Sequence, residues 1–505
     1  MDIPYRHTDK IKINQQIKDL TATAAERIDV AIMIVPHKPG KAVWERLPHG
    51  QLLKSRWQQL QRRNRDSDCL VTDLPNKAGT RVMLLAVKPD NDSFSSLTRA
   101  RKLVTDVSKQ DPGTVGLQLA GFKPPHDGHL RDKLIAALLA AACPMPDYKS
   151  KPGTVARLKR INVYGCAEIA DLSALQAENT GNHLARWLSA LPPNELTPGT
   201  YQAFVSTLAK QEGWKMQFLD RKALQRKKAG AFLAVCQGSP TADAGIVQLR
   251  YRPPNSRRRK LALVGKGICF DTGGVNIKPA KYMNGMHEDM QGSAVALGTL
   301  LALTRLQVDF PIDCWLALAE NHVGSRAYKP NDVITACNGT SIEVKHTDAE
   351  GRMVLADTLA LASRDKPAVM IDYATLTGAC IYSLSSRYSG VFSNRDTLHT
   401  ALINAGRDSG ERVWPFPLDE DFDEALKSDI ADTLQCTLEG DADHILAARF
   451  LQRFVDENID WIHVDLAASH HKGGLGHIPT DTTGFGVRYT LNLLQQQALL
   501  DNTWN

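Results

Sequence analysis

From residue 261 onward, short apolar runs alternate with longer stretches of helical periodicity, an order that few folds accept. "KLALVGKG", "PIDCWLALA", "PAVMIDYATLTG" and "WIHVDLAA" read as buried strands, while "GSAVALGTLLALTRL" (292–306) and "RMVLADTLALAS" read as helices. Strands that are apolar on both faces must be covered on both. The pattern therefore predicts an α/β fold with a mixed, largely parallel sheet between helical layers. In such sheets ligands gather at the carboxyl ends of the strands. Just past three of these runs stand "KGICFDTGG", "TLTG" and "ASHHKGG", all polar and rich in small residues.

The first part of the chain is organised on its own. Strand-like "RIDVAIMIV" and "RVMLLAV" mix with helical "LIAALLAAA", which predicts a small N-terminal α/β domain over residues 1–167. Apolar residues at helical spacing in "EIADLSALQAENTGNHLARWLSAL" predict a linker helix over 168–191. The prolines of "PPNELTPGTY" stop it, and Thr197 can cap the next helix. The larger domain then takes 192–505, in keeping with two domains for a chain of 505 residues.

Charge divides along the same line. Residues 1–167 hold 28 Lys and Arg against 16 Asp and Glu, an excess of 12; the whole chain carries +6, so the remainder carries −6. A basic domain invites nucleic acid, but no aromatic-basic motif accompanies it, and a solvated basic surface is the plainer account. The opening "MDIPYRHTDKIKINQQ" lacks the apolar core of a signal peptide. "LIAALLAAACPM" falls short of the roughly 18 apolar residues a membrane span needs. Nine cysteines without a CxxC pair fit reduced, buried thiols. A soluble cytoplasmic protein is the expectation.

Two segments concentrate chemistry. "HTDAEGRM", His346 to Met353, puts Asp348, Glu350 and Arg352 at i, i+2 and i+4, which an extended backbone would aim at one spot. "VGKGICFDTGGVNIKPAKYMNGMHEDM", Val264 to Met290, adds Lys266, Asp271, Lys278 and Asp289 among glycines. Four carboxylates at strand ends carry about −4, a charge that two divalent cations balance in two-metal hydrolysis. Competing motifs fail. There is no GxxxxGK[ST], "HEDMQ" ends on Gln291 where HExxH needs His, and GxSxG is absent.

Together with "ATLTG", "LPPNELTP", "GERVWPFPLDEDFDEALKSDIAD" and "TGFGVR", these segments closely resemble the leucyl aminopeptidases over roughly residues 185–490. The resemblance implies two divalent ions, Zn or Mn before Mg or Co. One ion would be held by Asp271, Asp348 and Glu350, the other by Lys266, Asp271, Asp289 and Glu350. It also implies that Lys278 stabilises the oxyanion, that Arg352 holds a bicarbonate, and that backbone around Leu376 orients a peptide substrate. Met286, Thr375, Gly378, Ala467 and His470 would line the pocket for the first residue, and the assembly would be a homohexamer. Lys266 could ligate only as a neutral amine, which an arginine could not supply.

This chain departs from the resemblance at several positions. His346 and His287 stand where relatives carry Asn and Lys, and Gln291 replaces a small residue. His470 and His471 occupy a turn that is otherwise glycine and apolar. "CTLEGDADHIL" replaces a glycine- and arginine-rich loop. His470 facing the pocket would favour polar or acidic first residues over leucine. The alternatives are a two-metal phosphoesterase, which would need histidine ligands and phosphate-binding arginines, or a nucleic-acid-binding regulator acting through residues 1–167.

Overall fold

The computed structural model describes residues 4–88, 92–153, 155–254 and 256–502. The chain forms two compact units. One runs to Asn179 and adds Gly474–Pro479; the other comprises Thr180–Gly473 and the residues from Thr480 onward. The division falls inside the helix Ser173–Ser189.

The first unit is built on six strands: β1 (Lys12–Gln15), β2 (Val30–Pro36), β3 (Cys69–Asp73), β4 (Arg81–Val87), β5 (Thr114–Leu119) and β6 (Arg160–Tyr164). Their order is β1-β6-β5-β2-β4-β3. Neighbours are parallel except β3, which joins β4 antiparallel at the edge. Val30, Ile32 and Ile34 point into one apolar cluster, and Ala31, Met33 and Val35 into another. That alternation shows β2 covered on both faces, as its unbroken apolar run requires.

The second unit carries β7 (Lys215–Asp220), β8 (Gly245–Tyr251), β9 (Leu261–Asp271), β10 (Ile312–Asn321), β11 (Val333–Thr335), β12 (Ser341–Glu343), β13 (Val369–Ala374), β14 (Ser389–Ser393), β15 (Val413–Pro415), β16 (Thr433–Leu434) and β17 (Asp460–Asp465). Eight of them form one sheet in the order β15-β14-β17-β13-β9-β10-β8-β7. The central four, β17-β13-β9-β10, are mutually parallel, and antiparallel pairings flank them on each side. The mixed, largely parallel sheet is thus present, and the sequence runs that predict it map onto its central strands.

Connectivity places the site. From β9 the chain passes through the helix Gln291–Arg305 to β10 on one side. It then returns through β11, β12 and the helix Glu350–Ser363 to β13 on the other. Right-handed crossovers running in opposite directions put those helices on opposite faces and open a crevice at the carboxyl end of β9. Close packing seals its floor: a Cβ on Gly292 would lie 2.1 Å from the Tyr373 carbonyl oxygen, so only glycine lets this helix start against β13. Among the described residues, no helix is long and apolar enough to cross a membrane.

Candidate metal centre

Asp271 is the last residue of β9 and 2% exposed. Asn321, the last residue of β10, lies opposite it in register and donates from Nδ2 to Asp271 Oδ1 at 2.8 Å. Lys278 comes from the loop that follows, which folds back through a bond from the Lys278 amide to the Thr272 carbonyl (2.9 Å). Its Nζ stands 2.8 Å from Asp271 Oδ2 and 2.6 Å from Asp348 Oδ1.

The segment that supplies Asp348 and Glu350 is not extended. Asp348 lies in a turn, and Glu350 opens the helix Glu350–Ser363. This corrects the expectation of three side chains on one face. Helical residues two apart point about 200° away from each other, so Glu350 faces the carboxylates while Arg352 turns elsewhere. The turn is pinned from several sides. Thr347 Oγ1 donates to the Gly273 carbonyl (2.6 Å), Tyr328 Oη donates to the Thr347 carbonyl (2.7 Å), and Gln435 Nε2 donates to the Ala349 carbonyl (3.0 Å). His346 Nδ1 accepts from the Asp348 amide at 3.3 Å and so supports the turn.

Lys266 joins the two halves of the cluster. Its Nζ lies 2.7 Å from Asp289 Oδ1, 2.9 Å from Glu350 Oε1 and 2.9 Å from the Thr375 carbonyl. A Cβ on Gly351, the second residue of the helix, would come within 2.7 Å of Lys266 Cε and Nζ, so glycine there leaves the lysine its path. Thr375 Oγ1 donates to Asp289 Oδ1 at 2.8 Å.

The donor set fits divalent cations. Asp271, Asp348 and Glu350 each present an oxygen within 4.8 Å of the others, the one such group among the described residues. Asp289 Oδ2 is buried and has no hydrogen-bond partner, an acceptor placed for an electron-poor ligand rather than for a protein donor. Electrostatics agree. Burial, aided by Glu350 and Asp271 and opposed by Lys266, raises the Asp289 carboxyl to about 8. Burial and the Asp271 charge raise Asp348 to about 6. Burial alone would push Lys266 down, but Asp289, Glu350 and Asp271 together hold it above its ordinary value.

Cation uptake must therefore expel protons from Asp289 and Lys266. Below about pH 8 Asp289 holds its proton and competes with the ion, so metal affinity is expected to rise with pH. The limit is about tenfold per unit for each proton released. Titration calorimetry in two buffers of different ionisation heat counts those protons; an affinity flat between pH 6 and 8 would contradict this.

Arg352, 2% exposed, sends Nη2 to Asp443 Oδ1 (2.8 Å) and Nη1 to the Gln435 carbonyl (3.2 Å). The Asp443 carboxylate thus stands on the guanidinium to which the resemblance assigns a bicarbonate, with Nε left open. The residues expected to line a pocket for the first residue sit on the segments that follow β9, β13 and β17. Met286 opens a short turn ending at Glu288, directly before Asp289. The Leu376 amide is engaged by Asp465 Oδ1 (3.2 Å), Gly378 begins the helix Gly378–Leu384, and Ala467 is buried. His470 Nδ1 pairs with Glu288 Oε2 at 2.9 Å, and Gln291 Nε2 donates to the same oxygen at 2.9 Å. Sequence reasoning missed Asn321, Asp465, Glu288 and Asp443. Asn321 carries a readable signal, as a polar residue ending a mostly apolar strand.

Residues 183–491 match the family described as the cytosol aminopeptidase family, catalytic domain. A probable cytosol aminopeptidase of Parasynechococcus marenigrum is 36% identical over 434 residues, 84% of this chain and 88% of the relative. Another, of Wolbachia pipientis, is 41% identical over 326 residues, 64% of this chain; the chain spans 65% of that relative's length. Among solved structures, a tomato leucine aminopeptidase mutant is similar with a TM-score of 0.83 at 24% identity, over 96% of this chain and 97% of the other. A bottromycin maturation enzyme in complex with Mn gives 0.80 at 27% identity, over 93% and 99%.

Proposed function

The chain belongs to the cytosol aminopeptidase family of metal-dependent hydrolases, and we propose that it removes the N-terminal residue of peptides with two divalent ions. The observation that carries this reading is the convergence of four buried or half-buried carboxylates on two lysines at the end of β9. Asp271, Asp348 and Glu350 would hold one ion; Lys266, Asp271, Asp289 and Glu350 would hold the other. Zn or Mn suits this set of oxygens and one amine, with Mg and Co as further candidates. Two such ions lower the pKa of a bound water and polarise the scissile carbonyl.

The remaining work belongs to the chain. Lys278, beside Asp271 and Asp348, would offer an ammonium to the negative charge that grows on the carbonyl oxygen. Thr375 orients Asp289, and Asn321 orients Asp271. The phosphoesterase reading is not favoured, since the carboxylate cluster contains no histidine.

Chelation is expected to abolish cleavage of aminoacyl fluorogenic substrates, and Zn, Mn or Co added separately to restore it. N-acetylated substrates and phosphoesters should stay intact. Lys278→Met should lower kcat about 10²–10³-fold with two ions still bound; unchanged kcat would remove Lys278 from the mechanism. A cytoplasmic homohexamer is the assembly this reading carries with it.

Met286, Thr375, Leu376, Gly378, Ala467 and His470 form the surroundings of the substrate's first residue. The Glu288 carboxylate, held by Gln291 and His470, makes that wall polar. A substrate panel should show polar first residues cleaved at least as well as leucine. His470→Leu should move the preference toward leucine by about tenfold; a clear leucine preference in the unaltered protein would refute the polar wall.

A further inference from the structure

Asp465 is not one of the candidate ligands, yet it holds the loop that serves two of them. It ends β17, is 1% exposed, and is set by the parallel register beside Ala374, the last residue of β13. The chain leaving β13 meets its side chain at once. Oδ1 accepts from the Leu376 amide at 3.2 Å and from the Thr377 amide at 3.5 Å, and Oδ2 accepts from Thr377 Oγ1 at 2.7 Å. Donors on both oxygens satisfy the buried carboxylate, and the carboxylate in turn fixes the loop. A trans peptide unit points its N–H and its C=O in opposite directions, and the unit joining Thr375 to Leu376 is trans. Its N–H goes to Asp465, so its carbonyl oxygen is turned the other way, onto Lys266 Nζ at 2.9 Å.

We propose that Asp465 is a positioning residue for one of the two ions: through a single peptide unit it aims the Lys266 amine, and through Thr375 it aims Asp289. The inference rests on the two-metal reading. Lys266 Nζ has two acceptors besides the Thr375 carbonyl, Asp289 Oδ1 at 2.7 Å and Glu350 Oε1 at 2.9 Å. Both of those belong to the candidate ligand set, and the carbonyl does not. As a neutral ligand the amine would keep two hydrogens, and the Thr375 carbonyl is the acceptor left free to receive one of them. That bond fixes where the lone pair points. Thr375 Oγ1 meanwhile donates to Asp289 Oδ1 at 2.8 Å, while Asp289 Oδ2 stays buried without a partner. The ion assigned to Asp271, Asp348 and Glu350 draws no ligand from Lys266 or Asp289. Loss of Asp465 should therefore fall on one site and spare the other.

The test uses the full-length protein titrated with Zn and with Mn. Asp465→Ala should keep one ion per chain after dialysis where wild type keeps two, with the weaker site loosened about 10–100-fold by calorimetry. Asp465→Asn still offers an oxygen to both amides and its NH₂ to Thr377 Oγ1, so it should keep both ions. Where Asp465→Ala does not fold, Thr377→Val makes the same comparison. It removes only the hydroxyl bond and should loosen the same ion about two- to tenfold. A readout without metal is the crystal structure of the ion-free variant, in which the Thr375 carbonyl should leave hydrogen-bonding reach of Lys266 Nζ. Wild-type affinity at both sites, an equal loss at both, loss of an ion in Asp465→Asn, or a carbonyl still on Lys266 overturns the proposal. A wild type that binds fewer than two ions refutes the two-metal reading instead, and the ion-free structure then still decides whether Asp465 aims the amine.

Discussion

Glu350→Gln is expected to eliminate peptide hydrolysis while leaving the ion-free protein folded. In the proposed two-ion site Glu350 would be a carboxylate common to both ions, and its Oε1 lies 2.9 Å from Lys266 Nζ. Gln keeps the volume and one oxygen but removes the charge that two cations share. The loss in metal affinity should exceed the roughly 10–100-fold that follows removal of a ligand's supporting partner. Stability of the ion-free state should move little. Burial and repulsion from Asp271 raise the Glu350 carboxyl above its ordinary value, so the carboxylate is already under strain there, and neutralising it relieves repulsion as it weakens the Lys266 pair. Thermal melts with and without metal separate the effects: Tm without ions near wild type, and the metal-induced rise in Tm gone. A variant that still turned over, or still gained stability from metal, would remove Glu350 from the bridging role.

Lys266→Arg is expected to be nearly as damaging, although it keeps the positive charge. In the ion-free site a guanidinium could pair with Asp289 and Glu350 as the ammonium does. It could not become a neutral ligand, because its pKa lies above about 12. Space also opposes it, since even a methyl on Gly351 would crowd the lysine's end at 2.7 Å. The expected result is one ion bound per chain instead of two, measured by atomic absorption after dialysis. Turnover should fall at least about a hundredfold, since the clamp on the reacting oxygens is incomplete. Two ions bound with normal turnover would refute ligation by Lys266.

Much of this was legible in the residues. Apolar runs such as "LALVG" and "VMIDYA" can be satisfied only inside a two-sided sheet, which fixes where polar residues collect. Asp271 ends β9, Thr375 follows β13, and Asp465 ends β17. The clustered residues Lys266, Asp271, Lys278, Asp289, Asp348 and Glu350 could be named as candidates because their types and spacing carry chemistry that alternative motifs lack.

Other parts depended on local conformation. The spacing of Asp348, Glu350 and Arg352 suits a strand as well as a helix start, and only the fold decides. Three-dimensional packing chose the helix, because Gln435, Tyr328 and Thr347 hold the preceding turn closed. That choice turned Arg352 away from the carboxylates by about 200° of helical rotation. Asp443 lies 91 residues along the chain from Arg352, beyond the reach of any periodicity. Sequence by itself determined the sheet, its covered faces and the inventory of candidate metal-binding groups, because burial and charge act through residue type. Which side chain stands on the arginine was decided by tertiary structure alone, because pairing across so long a separation depends on where the folded backbone brings the two groups.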